Sequence, residues 1–261
     1  MQETIMQETK IDPIIETLYN APCFIVSIDR CIERYDFARK NVENAGFCNI
    51  ERFKGVDAKV DDLKKAWEVH GSPIFETKHV ESEDFTEKHK GKQGCMLSHL
   101  NLWKHIIDNK INVATIFEDD VRFHKEWDKY AQQYFKNTPN DYHILYLGSQ
   151  LQHVAHTPIA IVPVFCTHAY VITYEGAQIL YDLIVNRKDG IYTIDSMLID
   201  MMCEAMYNQK IQKFIWYVWN GNVIPDTYRT NDPSKQKRNQ GLVFQDDQFE
   251  SEVKVYEFGK A

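Results

Sequence analysis

No apolar run in this chain approaches the ~20 residues that a helix needs to cross a bilayer, so a helical membrane span is excluded. The N-terminus, MQETIMQETKIDP, has neither a basic start nor an apolar centre and so does not read as a secretory signal. MQET recurs at positions 1 and 6 and carries no fold information. There is no N-x-S/T sequon, since Asn137-Thr138 runs into Pro139. The 6 cysteines (Cys23, Cys31, Cys48, Cys95, Cys166, Cys203) form no CxxC and no Cys/His cluster at zinc spacing. Most lie in apolar patterns, which predicts reduced, buried thiols and a cytoplasmic protein. Positive charge is also short: 30 Lys and Arg face 38 Asp and Glu, a net charge of −8. Such a balance disfavours nucleic acid and anionic membrane as partners. It leaves room for a small anion held by local cations and a metal. No Walker A sequence, GxGxxG or GxSxG follows any predicted strand, which removes the phosphate-loop, dinucleotide and serine-hydrolase classes.

What is present is globular. Hydrophobic residues make up 44% of the 261, enough to build a sizeable core. Short apolar runs predict strands at Cys23–Ile28, Ile50–Phe53, Val113–Phe117 and Tyr142–Leu147, the last stopping at Gly148. One or two more follow within Val162–Thr173, around Pro163, and a last one at Ile211–Val218. Helices are expected over 31–45 (closed by Gly46), 61–69, 94–108, 175–186 (N-capped by Thr173) and 195–207. In the third, Met96, Leu100, Trp103 and Ile107 share a face. Residues 71–92 read as polar and irregular. Strand and helix alternate without repeats or an obvious linker, so an α/β fold is expected: one open, mainly parallel sheet with helices on both faces. We expect an N-terminal extension (1–20), one domain (21–228) and a polar tail (229–261) that is either a lid or a loosely ordered terminus.

In open α/β sheets, ligands bind beyond the carboxyl ends of strands. The run Val113–Phe117 ends there in Glu118-Asp119-Asp120. Three adjacent carboxylates repel one another unless a cation is present. Glu118 and Asp120, at i and i+2, face one side if the strand geometry persists, and two hard oxygen ligands suit Mg²⁺ or Mn²⁺. A solvated acidic loop capping the next helix, near His124, is the plain alternative. Asp29-Arg30 and Arg34 follow the first strand. These arginines either reach a phosphate or pair with neighbouring acids. Asp57 follows the second strand, as a hydrogen-bond acceptor for a nucleoside or an ordinary turn residue. The aromatic stretch Phe214, Trp216, Tyr217, Trp219 either stacks on a sugar or fills the core.

Gly94-Cys95-Met-Leu-Ser98-His99, then Leu102-Trp103, then Ile116-Phe-Glu-Asp-Asp-Val121 resembles the signature of glycosyltransferase family 25. Lys92 and Gln93 stand where that family carries an acidic and an aliphatic residue. Phe24–Ile28 with Asp29-Arg30 and Arg34, Val56-Asp57-Ala58, Thr167–Ile172 with Gly176-Ala177, and Asp195-Ser-Met-Leu198 are similar to further family landmarks. The resemblance covers about residues 22–200 and implies a glycosyltransferase-A-like fold. It also implies an inverting transfer of galactose or glucose from a UDP-sugar. The acceptor it implies is a hydroxyl of a glycan or of hydroxylysine in a collagen-like protein.

By that resemblance Glu118 and Asp120 hold Mn²⁺ (or Mg²⁺) in a DxD-like register, and the metal stabilises the leaving diphosphate. Asp119 joins Arg30, Arg34 and Asp57 as a donor contact. Asp195 is the candidate base for the acceptor hydroxyl, or a helix N-cap. His168 is a candidate acceptor contact or ligand, or a core histidine. Ser98-His99 reads as support beneath the site, and Lys235–Arg238 as a cover over the diphosphate or a solvated face. The absence of a signal sequence fits a bacterial or viral enzyme in cytoplasm. Two rivals stand beside this reading: a catalytically inactive family member, and a metal-dependent hydrolase or nucleotidyltransferase. The hydrolase has no HxD, HxH or second acidic cluster to draw on.

Overall fold

Alternation within each apolar run sorts its side chains onto two faces of a sheet, and both faces here are covered. In β1 (Cys23–Ser27), Phe24 and Val26 enter one hydrophobic cluster while Cys23 and Ile25 enter the other. The computed structural model describes residues 13–71, 90–151, 159–187, 193–208, 214–219 and 240–246. Around β1 the chain runs α1 (Pro13–Asn20), α2 (Ile32–Asn44), β2 (Ile50–Lys54), α3 (Leu63–Glu68) and α4 (Lys90–Asp108). It continues through β3 (Val113–Glu118), β4 (Val121–Phe123), α5 (Trp127–Asn137), β5 (Ile144–Leu151), β6 (Ile159–Ala160) and β7 (Val164–Thr173). The remainder is α6 (Tyr174–Val185), α7 (Ile194–Cys203), a π-helical turn (Glu204–Asn208), β8 (Trp216–Trp219), β9 (Gln240–Gly241) and β10 (Val243–Gln245).

Among the described residues the main sheet has 8 strands, ordered β2-β1-β3-β7-β5-β8-β6, with β9 beside β5. Strands β1, β2, β3, β5 and β8 run one way, and β6, β7 and β9 oppose them. This is the open, mainly parallel, helix-flanked α/β sheet expected. One face packs on α3, α4, α6 and α7, where Trp67, Met96, Leu100, Trp103, Leu180 and Met202 fill the core. The other packs on α1, α2 and α5 through Ile15, Leu18, Val42, Trp127, Ala131 and Tyr134. Helix α4 is enclosed over Met96–Leu100 rather than on one stripe alone, because it lies between the sheet and α6. The expected Thr173 cap is in place, its hydroxyl accepting the Gly176 N–H at 3.0 Å. Gly46, with φ +99°, follows α2 in the left-handed conformation that closes helices.

Several expectations change. Strand β5 does not stop at Gly148 but continues to Leu151, slipping register against β7 on either side of that glycine. On β7, between the partners of Gly148 and Gln150 (Ala169 and Phe165), Cys166 adopts φ +75°, an uncommon backbone for a non-glycine residue. The pair of irregularities is a bulge of the kind that re-aims side chains near sites. Helix α4 starts at Lys90, earlier than 94, and the rest of the 71–92 stretch lies outside the described residues beyond Gly71. All 6 cysteines are free thiols, but among them Cys23 alone is buried and Cys48 is exposed. Within the stretch read as a polar tail, Leu242, Val243 and Phe244 are fully buried, and β10 pairs with β4. The basic Lys235–Arg238 lies outside the described residues. No described helix is long and apolar enough to cross a membrane.

Candidate active site

Strand β3 carries Ile116 and Phe117 through the core and delivers Glu118 to its carboxyl end. The backbone then turns at Asp119-Asp120 and leaves along β4, which pairs with β10 instead of the main sheet. Strand geometry therefore does not persist, and the i, i+2 argument for a shared face fails. The turn gives each carboxylate its own partners. Glu118 Oε1 accepts from the Thr167 hydroxyl at 3.1 Å and lies 3.3 Å from His99 Nε2. Asp119 accepts from Ser27 Oγ at 2.8 Å and from Arg34 Nη2 at 2.5 Å. The same Arg34 nitrogen is 3.2 Å from Asp120 Oδ2. Asp120 Oδ1 is buried without a hydrogen-bond partner among the described residues.

His99 is aimed by a directed chain. Trp103 Nε1–H donates to the Tyr170 hydroxyl oxygen at 2.9 Å, and that hydroxyl is 2.8 Å from His99 Nδ1. An indole can only donate, so the phenolic proton is left for Nδ1, and the Nε2–H of His99 donates to Glu118. Burial opposes the Glu118 charge, but the His99 hydrogen bond, the nearby His99 and His168 and the Thr167 hydroxyl outweigh it and lower the pKa. Asp120 has no such support. Burial first, then the charges of Glu118 and Asp119, raise its pKa to about 8 against the pull of Arg34. Asp119 is also raised, mainly by burial, although Arg34 and Ser27 hold it down. The buried, unpartnered Asp120 Oδ1 is a hard oxygen of the kind that Mg²⁺ or Mn²⁺ takes, but among the described residues the possible ligands that converge within 4.8 Å are Cys95, His99 and Glu118 rather than the three acids.

The other candidate residues fall into two groups. Asp195 opens α7, with its Oδ1 accepting the Ser196 N–H at 2.9 Å. It is close enough to Cys95 and Tyr146 for its charge to raise both their pKa values. His168 is fully buried, with Nε2 3.0 Å from the Val243 carbonyl, and burial lowers its pKa despite the nearby Glu118. Arg30 and Asp57 engage each other, Nε to Oδ2 at 2.6 Å. Asp57 also accepts from the Lys59 N–H at 3.0 Å, as a turn aspartate does. Ser98 accepts the Val56 N–H and donates to the Gly94 carbonyl, fastening the loop after β2 to α4. Trp216 and Trp219 are core residues.

The sequence profile of glycosyltransferase family 25 (LPS biosynthesis protein) matches residues 20–198, which contain every one of these residues except Trp216, Trp219 and Val243. The chain belongs to glycosyltransferase family 25. Curated family-25 relatives include human procollagen galactosyltransferase 2, 30% identical over 133 residues (46% of this chain, 20% of that protein). A Drosophila melanogaster glycosyltransferase 25 family member is 25% identical over 187 residues, 67% of this chain and 29% of that protein. The chain thus spans less than a third of the length of these relatives. Among solved structures, a glycosyltransferase involved in glycosylation of the major capsid of PBCV-1 aligns with TM-score 0.41 and 6% identity, covering 78% of this chain and 94% of that one.

Within this family-25 site, sequence reading missed Thr167 as a partner of Glu118 and Tyr170 as the partner that aims His99. Both lie in the Thr167–Ile172 landmark, where alternation placed them on one strand but not against Glu118. It also missed Tyr146, whose buried hydroxyl has no hydrogen-bond partner among the described residues. Gly148 was the available signal for the tight packing around His168. A Cβ there would overlap both His168 Nε2 and the Val243 carbonyl.

Proposed function

We propose that this family-25 glycosyltransferase is a hexosyltransferase that moves galactose or glucose from a UDP-sugar, with inversion, to a hydroxyl of a glycan or of hydroxylysine. The relatives named procollagen galactosyltransferases support the hexose and the acceptor class. The sheet is read as the glycosyltransferase-A type. The observation that carries the reading is the acid turn, where Asp120 Oδ1 is buried and unpartnered beside Glu118 and Asp119.

In this reading Asp120 and Glu118 hold Mn²⁺ or Mg²⁺. When bound, the metal supplies Lewis-acid stabilisation to a leaving diphosphate. Arg34 keeps Asp119 and Asp120 in place across the turn, and Asp119, fixed by Ser27, presents to the donor's ribose. Arg30 and Asp57 bound the donor side and hold each other until a nucleotide competes for them. Asp195, on the Cys95–Tyr146 side, takes the proton of the acceptor hydroxyl as it attacks the anomeric carbon. His168 stays neutral and acts through the strand it fastens.

A UDP-hexose hydrolysis assay with and without Mn²⁺ tests this. Metal-dependent UDP release, lost in Asp120→Ala, is the expected result, and an absence of nucleotide binding refutes it. Relatives named probable inactive family-25 members from Bos taurus and Rattus norvegicus give the second reading its footing. An inactive member binds nucleotide and releases no UDP in the same assay.

A further inference from the structure

Cys95 and His99 are four residues apart on α4 and so share a face of the helix, turned toward the end of β3. Cys95 Sγ, His99 Nε2 and a Glu118 carboxylate oxygen all lie within 4.8 Å of one another. Sγ is 4.0 Å and Nε2 3.3 Å from Glu118 Oε1. A tetrahedral Zn²⁺ with bonds of ~2.0–2.3 Å sets its ligand atoms roughly 3.3–3.7 Å apart, so Glu118 Oε1 already stands at ligand spacing from Nε2 and only slightly beyond it from Sγ. No zinc spacing shows in the sequence because the third of these residues comes from another element, 19 positions after His99.

The geometry points to a thiolate-containing site for a thiophilic divalent ion, Zn²⁺ in the first instance, formed by Cys95, His99 and Glu118. A thiol and an imidazole select such an ion over the hard Mg²⁺. The far nitrogen of His99 is 2.8 Å from the Tyr170 hydroxyl oxygen, so an outer partner stands in place there once ligation reverses that bond and Nδ1 becomes the donor. Cys95 and Glu118 are partly exposed, giving the ion an entry, and the three residues leave a fourth position open. Binding replaces the thiol proton, which passes to buffer, by an S–Zn bond. The imidazole proton moves from Nε2 to Nδ1, where the Tyr170 oxygen accepts it. The site stands without the transferase reading. Only its consequence rests on that reading: an ion here withdraws Glu118 from Asp120, so Zn²⁺ would oppose Mn²⁺.

The test uses the full chain, stripped of metal and carrying Cys48→Ser to remove the exposed thiol. Titration with Co²⁺ is expected to give a near-ultraviolet thiolate-to-metal charge-transfer band that saturates at one equivalent and is displaced by Zn²⁺. Cys95→Ser is expected to abolish the band and weaken Zn²⁺ at least tenfold, with circular dichroism showing the fold intact. A band that is absent, or kept in Cys95→Ser, overturns the proposal. Should that variant fail to fold, X-ray absorption of the Zn²⁺-loaded protein decides. One sulfur among nitrogen and oxygen neighbours supports the site, and an all-oxygen shell overturns it. Nucleotide binding is read separately with Mn²⁺, so failure of the transferase reading leaves the cobalt spectrum unchanged.

Discussion

Replacing Asp120 by asparagine is expected to make the metal-free protein more stable while ending its activity. The folded carboxyl titrates at about 8 against an ordinary 3.8, because burial and the neighbouring Glu118 and Asp119 disfavour its charge. Between those values the folded chain holds a proton that the unfolded chain has lost. The contribution of Asp120 to stability therefore falls as pH rises through that window. At roughly pH 7 the penalty has a ceiling of about 4 kcal/mol, from some three units at ~1.36 kcal/mol each. Asparagine keeps the shape of the neutral acid and carries no such penalty, although it forgoes some attraction to Arg34. A gain of about 1–4 kcal/mol is expected, and a chain of this size melts ~2–4 °C higher per kcal/mol. Thermal melts of both proteins in chelator, from about pH 4 to pH 8, should show an advantage for asparagine that starts near zero and widens. Added Mn²⁺ should reverse the order, because it stabilises only the protein that binds it. An asparagine variant that melts lower than the natural protein in chelator near neutral pH refutes the reasoning.

Three other outcomes follow from the same geometry. Tyr170→Phe strands His99 Nδ1 and the Trp103 indole N–H in the core, so denaturant titration should show a loss of about 2–3 kcal/mol, and a change under ~0.5 kcal/mol counts against the chain of bonds. Gly148→Ala drives a methyl into His168 and the Val243 carbonyl, and should lower the melting midpoint with a cost of ~2 kcal/mol or more; an unchanged midpoint would show the contact is loose. Arg34→Ala leaves Asp119 with Ser27 as its remaining partner, beside an Asp120 that is already protonated near neutral pH, and should destabilise the metal-free protein by about 1–3 kcal/mol there. The Asp119 pKa is also raised, so that cost should shrink on acidification as Asp119 takes up a proton, measured by melts across pH.

The periodic features of this sequence were enough to read the sheet. Phe24 and Val26 alternate with Cys23 and Ile25, and no tertiary knowledge is needed to see a strand buried on both faces. The acids at 118–120 were legible as a concentration of charge at a strand end. Their individual roles were not, because those depend on groups remote in sequence: Tyr170 behind His99, Arg34 from α2, Thr167 from β7. Gly148 misled because glycine is read as a strand terminator, whereas here it makes room for His168. Helix α5 was legible and passed over, since Trp127, Ala131, Tyr134 and Phe135 recur at i, i+4, i+7 and i+8, while α1, 8 residues long, offers barely two turns of pattern. Strand β10 escaped because Leu242, Val243 and Phe244 are three apolar residues within a polar stretch.

That last strand has a consequence for how the protein is made. Val243 follows His168 by 75 positions, yet its carbonyl is the partner of the buried His168 Nε2. Leu242 closes on the Leu147 carbonyl, and the Asp246 N–H caps the carbonyl of Asp120 itself. During synthesis the strands that carry the acids emerge well before the segment that seals them. Until residues 240–246 arrive, the Gly148–Ser149 stretch of β5 and the strand β4 that leaves the acid turn lack their partners and stand open to water and to other chains, as unpaired strand edges do. The order of translation thus makes the acid turn the last part of the sheet to be finished, and a chain cut before Gln240 would carry the acids without their seal.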